Sequence, residues 1–247
     1  MNKDKFYKTV YENIKTIAYA LIIAVLIRSL VIQPFYIPSS SMEPNLLVGD
    51  RIFVSKMSYG YSKHSFPFSP NIYNQRIFSK PPQQGDLVVF KTPADNRTDY
   101  IKRLIGLPGD KIQFKEGSLL INGKEIKRKK INQKLSVRCG NFSFEVNSYI
   151  ETLPNGHKYR AVYNKLGTMM NTKLYSVPSN HYFLLGDNRD CSKDSRYLED
   201  VGYVNQLNLV GQAKMIFFSN DTIKGRLFEI WSLHNSFRSE RLFQKID

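Results

Sequence analysis

Three short polar segments carry the residues that could do covalent chemistry. Ser39-Ser40-Ser41-Met42-Glu43-Pro44 offers hydroxyls in a turn closed by proline. Tyr100-Ile101-Lys102-Arg103 sets an amine between apolar neighbours on what reads as a strand. Gly186-Asp187-Asn188-Arg189-Asp190-Cys191-Ser192-Lys193-Asp194-Ser195-Arg196 crowds acids, bases and hydroxyls together straight after an apolar run. Singly, each has a plain structural explanation: a Ser/Pro turn, a solvent-facing lysine, a solvated loop with local ion pairs. Jointly they offer a serine nucleophile and a lysine base. A hydroxyl attacks well only when a neighbouring base takes its proton. A lysine of ordinary pKa, about 10.4, is neutral in only about one molecule in 2,500 at pH 7. Burial disfavours the ammonium and can bring the pKa down to about 5–7. Lys102 therefore needs apolar walls and no carboxylate against it, and Tyr100, Ile101, Phe35, Ile37 and Met42 are the candidates for those walls.

Elements must hold these segments in place. From Ile14 the chain reads IKTIAYALIIAVLIRSLVI, and between Thr16 and Ile32 the only charge is Arg28. Seventeen residues are at the short end for ~30 Å of hydrocarbon, so tilt or snorkelling of Arg28 would help. The following Gln33-Pro34-Phe35-Tyr36-Ile37-Pro38 is bulky, unlike a signal cleavage point, and predicts an uncleaved, single-pass anchor. Lys3, Lys5, Lys8 and Lys15 precede it; this bias leaves the N-terminus in the cytoplasm and sends the rest across the membrane.

Beyond Pro38 the apolar runs are strand-length: residues 51–54, 86–90, 100–105, 111–114, 118–121, 181–185 and 209–218. Gly49-Asp50, Gly85-Asp86, Pro108-Gly109-Asp110, Asn122-Gly123 and Gly186-Asp187 stand between them, and Asn-Gly between apolar runs is a strong hairpin signal. The expected fold is mostly β, an antiparallel barrel or sheet behind one transmembrane helix, with a single further helix candidate at 227–233. Residues 60–84 read as a long surface loop. Residues 123–177 change texture, beginning with Lys124-Glu125-Ile126-Lys127-Arg128-Lys129-Lys130, and read as a small inserted basic subdomain. The expected organisation is therefore 1–33 for cytoplasmic N-terminus and anchor, 34–122 with 178–247 for the β core, and 123–177 for the insertion.

Composition narrows the classes. Of 247 residues, 42% are hydrophobic and 23% charged, which excludes a disordered or collagenous chain. Lys plus Arg number 36 against 21 Asp plus Glu, a net +15, a field that suits nucleic acid, anionic lipid or a polyanionic matrix. Two cysteines are too few for a disulfide scaffold or a structural zinc site. His64, His157, His181 and His234 show no metal-ligand spacing, so no metal is expected.

The order of motifs is more specific than any of them alone. S-x-S-M-x-P after one membrane helix, then G-D-x-x-x-V, Y-I-K-R with G-x-P-G-D, and G-D-N-R-D-x-S-x-D-S-R resembles the bacterial type I signal peptidases (leader peptidases). The likeness is close over 35–56, 85–111 and 183–211. It implies a serine endopeptidase of the inner (cytoplasmic) membrane, its body on the periplasmic or extracytoplasmic side, that removes signal peptides from exported pre-proteins after small residues, A-x-A-like, without a cofactor. It makes Ser41 the nucleophile and Lys102 the general base, with the backbone N–H of Ser41 and the hydroxyl of Ser39 as oxyanion donors. Ser192 becomes the hydrogen-bonding partner that orients the base, and Asp194 with Arg196 and Asp187 with Arg103 become supporting ion pairs. Ile37, Met42, Leu46, Tyr100 and Ile101 would line the pocket before the scissile bond, and Phe35, Ile52, Val89, Asp99 and Ile101 the one two residues upstream. Pre-proteins and anionic lipid are the implied partners, and nucleic acid is not. Ser40 stands where relatives often have glycine, and Cys191 where a polar residue is expected. A bridge from Cys191 to Cys139 would require the insertion to fold back over the site, so two free thiols are expected. The rivals are a self-cleaving Ser–Lys regulator of the SOS-repressor kind, which would need a DNA-binding domain, and a membrane-tethered β binding module.

Overall fold

In a computed structural model, described here for residues 3–71, 74–140, 142–164, 170–221 and 236–246, the apolar segment forms α1 (Lys3–Leu30). Within it Tyr7–Leu30 is long and apolar enough to cross a membrane. At 1.5 Å per residue, those 24 residues measure about 36 Å, so the short span expected from Thr16 is lengthened at its N-terminal end. At its other end the helix stops earlier than expected. Val31 N–H closes the last turn on Ile27 O, and Ile32 already lies in a strand. The helix candidate at 227–233 falls outside the described residues.

The strands are β1 (Ile32–Tyr36), β2 (Asp50–Ser55), β3 (Leu87–Lys91), β4 (Asp99–Gly106), β5 (Lys111–Lys115), β6 (Ser118–Ile121), β7 (Lys124–Glu125), β8 (Lys127–Cys139), β9 (Phe142–Thr152), β10 (Lys158–Asn164), β11 (Tyr175–Ser176), β12 (His181–Leu185), β13 (Val204–Asn205), β14 (Leu209–Ser219) and β15 (Gln244–Lys245). The principal sheet runs β1-β2-β14-β3-β4-β12-β13, with β15 on β14. Every pairing in it is antiparallel. Pro34 is tolerated in β1 because that strand is an edge, with β2 as its one partner among the described residues, and needs no ladder donor there. Register shifts in β14 against β2 and β3 bend this long strand, as bulges do.

Residues 111–125, with β11, form a separate four-stranded sheet, β11-β5-β6-β7, so β5 and β6 leave the principal sheet. The Asn122-Gly123 turn joins β6 to β7 with both residues at positive φ, the conformation that Asn-Gly favours. β8, β9 and β10 make a three-stranded sheet, and β10 docks behind the 186–196 loop. Val162 N–H donates to Asp187 O at 2.9 Å and Arg189 N–H to Val162 O at 3.0 Å. Arg189 reaches Glu151 Oε2 at 2.8 Å, while the hydroxyls of Tyr159 and Tyr163 donate to the same carboxylate. All this is buried, and a buried pair with its partners satisfied costs about 3–5 kcal/mol to break by deleting one side.

Candidate active site

Ser41 sits in one turn of 3-10 helix, Ser40–Met42. The turn is anchored from below by Met42 and Leu46, both fully buried with Ile37, Ile52, Val54 and Val89. The Glu43–Pro44 peptide is cis. From the side, Asn188 N–H donates to Ser41 O at 3.1 Å, and Asn188 Nδ2 donates to Ser40 O and Arg138 O at 3.2 Å each. Glu43 accepts the Arg138 N–H at 2.8 Å, and burial pushes its carboxyl up from the usual value. A Cβ at Gly186 would lie 2.6 Å from Ser41 O and 2.2 Å from Ser192 Oγ. Only glycine lets the 186–196 loop close this tightly on the serine turn.

Lys102 comes from the middle of β4, opposite Val88 of β3. Its Nζ donates to Ser41 Oγ at 2.7 Å and to Ile101 O at 3.0 Å, and it lies 5.3 Å from the centre of the Tyr100 ring. Lys102 is 4% and Ser41 7% exposed. Burial drives the amine down from the ordinary 10.5 to about 8, against the opposing pull of Asp194 and Asp187. Ser39 Oγ lies 3.4 Å from Ser41 Oγ.

Both carboxylates near Lys102 are matched by arginine forks. Arg103 meets Asp187 at 2.8 and 2.9 Å, with Asn45 Nδ2 donating to the same carboxylate at 2.7 Å. Arg196 meets Asp194 at 2.8 Å on each oxygen. Burial pushes Asp194 up, but Arg196 and the Gly186 N–H outweigh it, and its pKa falls below the usual carboxylate range.

A groove of about 380 Å³ opens beside the pair. It is lined by Phe35, Ile37, Ile52, Val89, Asp99, Tyr100 and Ile101 from the sequence expectation, and also by Tyr36, Pro38, Thr98, Cys191 and Lys193. One wall belongs to β1 and its continuation. The other is the start of β4, which β12 pairs only from Arg103 onward, leaving 99–102 without a strand partner on that side among the described residues.

Three expectations are corrected. Met42 and Leu46 do not line the groove; they are core residues beneath the serine turn. Among the described residues Ser192 does not hydrogen-bond Lys102: its side chain packs over Gly186, and its hydroxyl acts on Asp194, helping to hold that carboxyl low. The cysteines are not free thiols. Cys139, at the end of β8, and Cys191 form a disulfide with Cα atoms 5.5 Å apart, because the hairpin of β8 and β9 folds back onto the serine turn. Sequence reasoning also passed over Glu151, Asn188 and Arg189. The last two stand inside a motif already singled out, whereas Glu151 is a lone acid in a polar stretch with nothing local to mark it.

A family model described as "Signal peptidase, peptidase S26" matches residues 10–218. A signal peptidase I of Rickettsia typhi is 40% identical over 233 residues, covering 89% of this chain and 85% of its own length. One of Rickettsia canadensis is 41% identical, covering 88% and 83%. A crystal structure of a signal peptidase I from Enterococcus faecalis V583 is 28% identical and covers 54% of this chain and 97% of that one, with a TM-score of 0.32.

Proposed function

Since the chain belongs to the signal peptidase family, peptidase S26, we propose that its serine endopeptidase activity, the removal of signal peptides from pre-proteins, runs on Ser41 as nucleophile and neutral Lys102 as general base. The observation that carries this reading is the 2.7 Å contact between Lys102 Nζ and Ser41 Oγ, with both side chains buried and the amine lowered to about 8 by burial.

Ser41 Oγ attacks the scissile carbonyl carbon while its proton passes to Nζ, giving a tetrahedral oxyanion and an ammonium. The intermediate collapses, the C–N bond breaks, and Lys102 returns the proton to the departing amine, leaving the signal peptide as an ester on Ser41. Water then gives a proton to Lys102 and attacks the ester, releasing the signal peptide as a carboxylic acid and restoring the serine. This is the Ser–Lys form of the triad logic. The Ser41 N–H and the Ser39 hydroxyl serve as oxyanion donors; one such donor is worth about 10²–10³ in rate.

The substrate lies extended in the groove, adding a strand to the start of β4, with alternate side chains entering the wall. Ile37, Tyr100 and Ile101 face the residue before the scissile bond, and Phe35, Ile52, Val89 and Asp99 the one two positions upstream. Bulky wall residues leave room for small side chains, which supports cleavage after A-x-A-like ends. Asp187, Arg103, Asp194 and Arg196 position the loop and the base rather than touch substrate.

The N-terminal helix, long and apolar enough to cross a membrane, supports a membrane anchor. The topology we infer is one pass through the inner membrane, lysines inside, body outside in contact with anionic headgroups. The disulfide supports that side, since such bonds persist in oxidising compartments.

The test is cleavage of a pre-protein by the full chain in detergent or liposomes. Ser41→Ala and Lys102→Ala each abolish cutting at the signal boundary, and Lys102→Arg, which cannot become neutral, does not restore it. Cleavage by Lys102→Arg at the parental rate overturns the neutral-base mechanism.

A further inference from the structure

Two hollows meet at Ser41. The groove described above is the first. The second, about 460 Å³, shares Pro38, Ser39, Ser41 and Cys191 with it and continues past Ser40 to Val48, Arg138, Phe142 and Ser143. A peptide attacked in its middle must leave the nucleophile on both flanks. If the first hollow takes the residues before the scissile bond, the second is where the chain beyond it must go. This step rests on the dyad reading above.

The outer wall of the second hollow is the end of β8 and the start of β9, two strands of the insertion. The Arg138 N–H on Glu43 holds that wall directly to the serine turn, and the 186–196 loop bridges the two: Cys191 in the disulfide to Cys139 and 3.9 Å from Ser40 Oγ, and Asn188 Nδ2 on Arg138 O and Ser40 O. The insertion thus supplies one side of a cleft whose other side is the nucleophile's own turn.

Arg138 puts a guanidinium at its rim. The Arg138 guanidinium lies 3.2 Å from Asp221 Oδ1, but Asp221 also receives Arg238 at 3.3 Å, so one carboxylate answers two guanidiniums. The nearby Glu43 carboxyl is turned inward; burial pushes its pKa up, while the fields of Arg138 and Arg238 pull it back down. The Phe142 side chain, 70% exposed, adds an apolar surface beside this positive edge.

We propose that this second hollow binds the first residues of the mature chain, and that Arg138 makes it favour acidic over basic side chains there. A partly exposed charge contact of this kind is worth a few-fold in rate, set mainly by encounter and orientation.

The experiment uses three signal-peptide substrates identical up to the scissile bond and differing in the next three residues: acidic, neutral or basic. With the parent protein in neutral detergent, kcat/KM for the acidic substrate exceeds that for the basic one about three- to tenfold, and the ratio falls toward one in molar salt. Arg138→Glu reverses the ranking and Arg138→Lys keeps it, while discrimination against a large residue immediately before the scissile bond stays parental in both. A parent that cuts all three equally, or a ranking untouched by Arg138→Glu, overturns this inference alone. A parent that cuts none at the signal boundary overturns the underlying functional reading. The parent comparison and its salt dependence decide the matter even where a variant folds poorly.

Discussion

Replacing Lys102 by methionine should make the protein more stable at neutral pH while abolishing cleavage. The amine's pKa falls from 10.5 to about 8 in the folded chain, which at about 1.4 kcal/mol per tenfold corresponds to a penalty of about 3 kcal/mol on folding with a charged lysine. Because the folded value lies below the unfolded one, the unfolded chain binds more protons between those two pKa values. Stability therefore rises with pH across that window, and the penalty is fully present below pH 8. Lys102→Met removes the penalty and also loses the hydrogen bond to Ser41, worth about 1 kcal/mol. A net gain of about 2 kcal/mol is expected at pH 7, shrinking above pH 8 and reversing to a deficit of about 1 kcal/mol above 10.5. Denaturant unfolding of the full chain in detergent, run from pH 6 to 11 for parent and variant, measures this. In parallel, parental kcat/KM reports the free enzyme and should be half-maximal near pH 8, rising about tenfold from pH 7 to 9 as the neutral fraction goes from about 9% to about 91%. A variant no more stable than the parent at pH 7, with a difference that stays flat through pH 10.5, refutes the buried neutral amine.

Replacing both Cys139 and Cys191 by serine opens a closure of 52 residues and should lower unfolding free energy by about 4 kcal/mol on loop-entropy grounds, read by denaturant titration. Asp187→Ala strands the buried Arg103 guanidinium and should cost about 3–5 kcal/mol, whereas Asp187→Asn, which keeps one acceptor oxygen for the fork but sets its NH2 against the remaining donors, should cost less only by the one hydrogen bond it keeps, in the same titration. Ser39→Ala should lower kcat by about 10²–10³ with KM little changed, read in steady-state cleavage of a signal-peptide substrate.

Local signals made the fold's outline legible. Alternation and turn residues marked most strands, and the apolar run after Lys15, broken only by Arg28, marked the long apolar helix. Their limits were less so. The helix was expected to reach Ile32 and ends at Leu30, because Ile32 gains more from pairing with Ser55 at the head of β1. Ser41 and Lys102 were legible because each sits in a compact motif, and the groove walls because they flank those motifs. The misplaced residues share a cause. Met42 adjoins Ser41 in sequence, but a turn that presents Ser41 must bury its next residue to stay fixed, so Met42 is core. Cys139 and Glu151 reach the site only through the folding back of β8, β9 and β10, a contact made across 52 residues for Cys139 and 38 for Glu151. No local pattern encodes such distances.

The arginine forks bear on the chemistry as well as on rigidity. Lys102 lies within the field of two buried carboxylates, both of which favour its charged form, while Arg196 opposes them. Were Asp194 unmatched, its charge would act on the amine in a low-dielectric setting, where a unit charge is worth far more than in water. Its tight pairing with Arg196 reduces that bias toward the ammonium to a small residual one. Arg196→Gln keeps donors for Asp194 but removes the positive charge, so it should move the midpoint of the kcat/KM profile upward from about 8. The activity lost at pH 7 should then be largely recovered at pH 10. A purely structural role would lower the plateau and leave the midpoint in place. An unmoved midpoint in Arg196→Gln would mean that burial alone sets the base, and that the forks serve only to hold the loop.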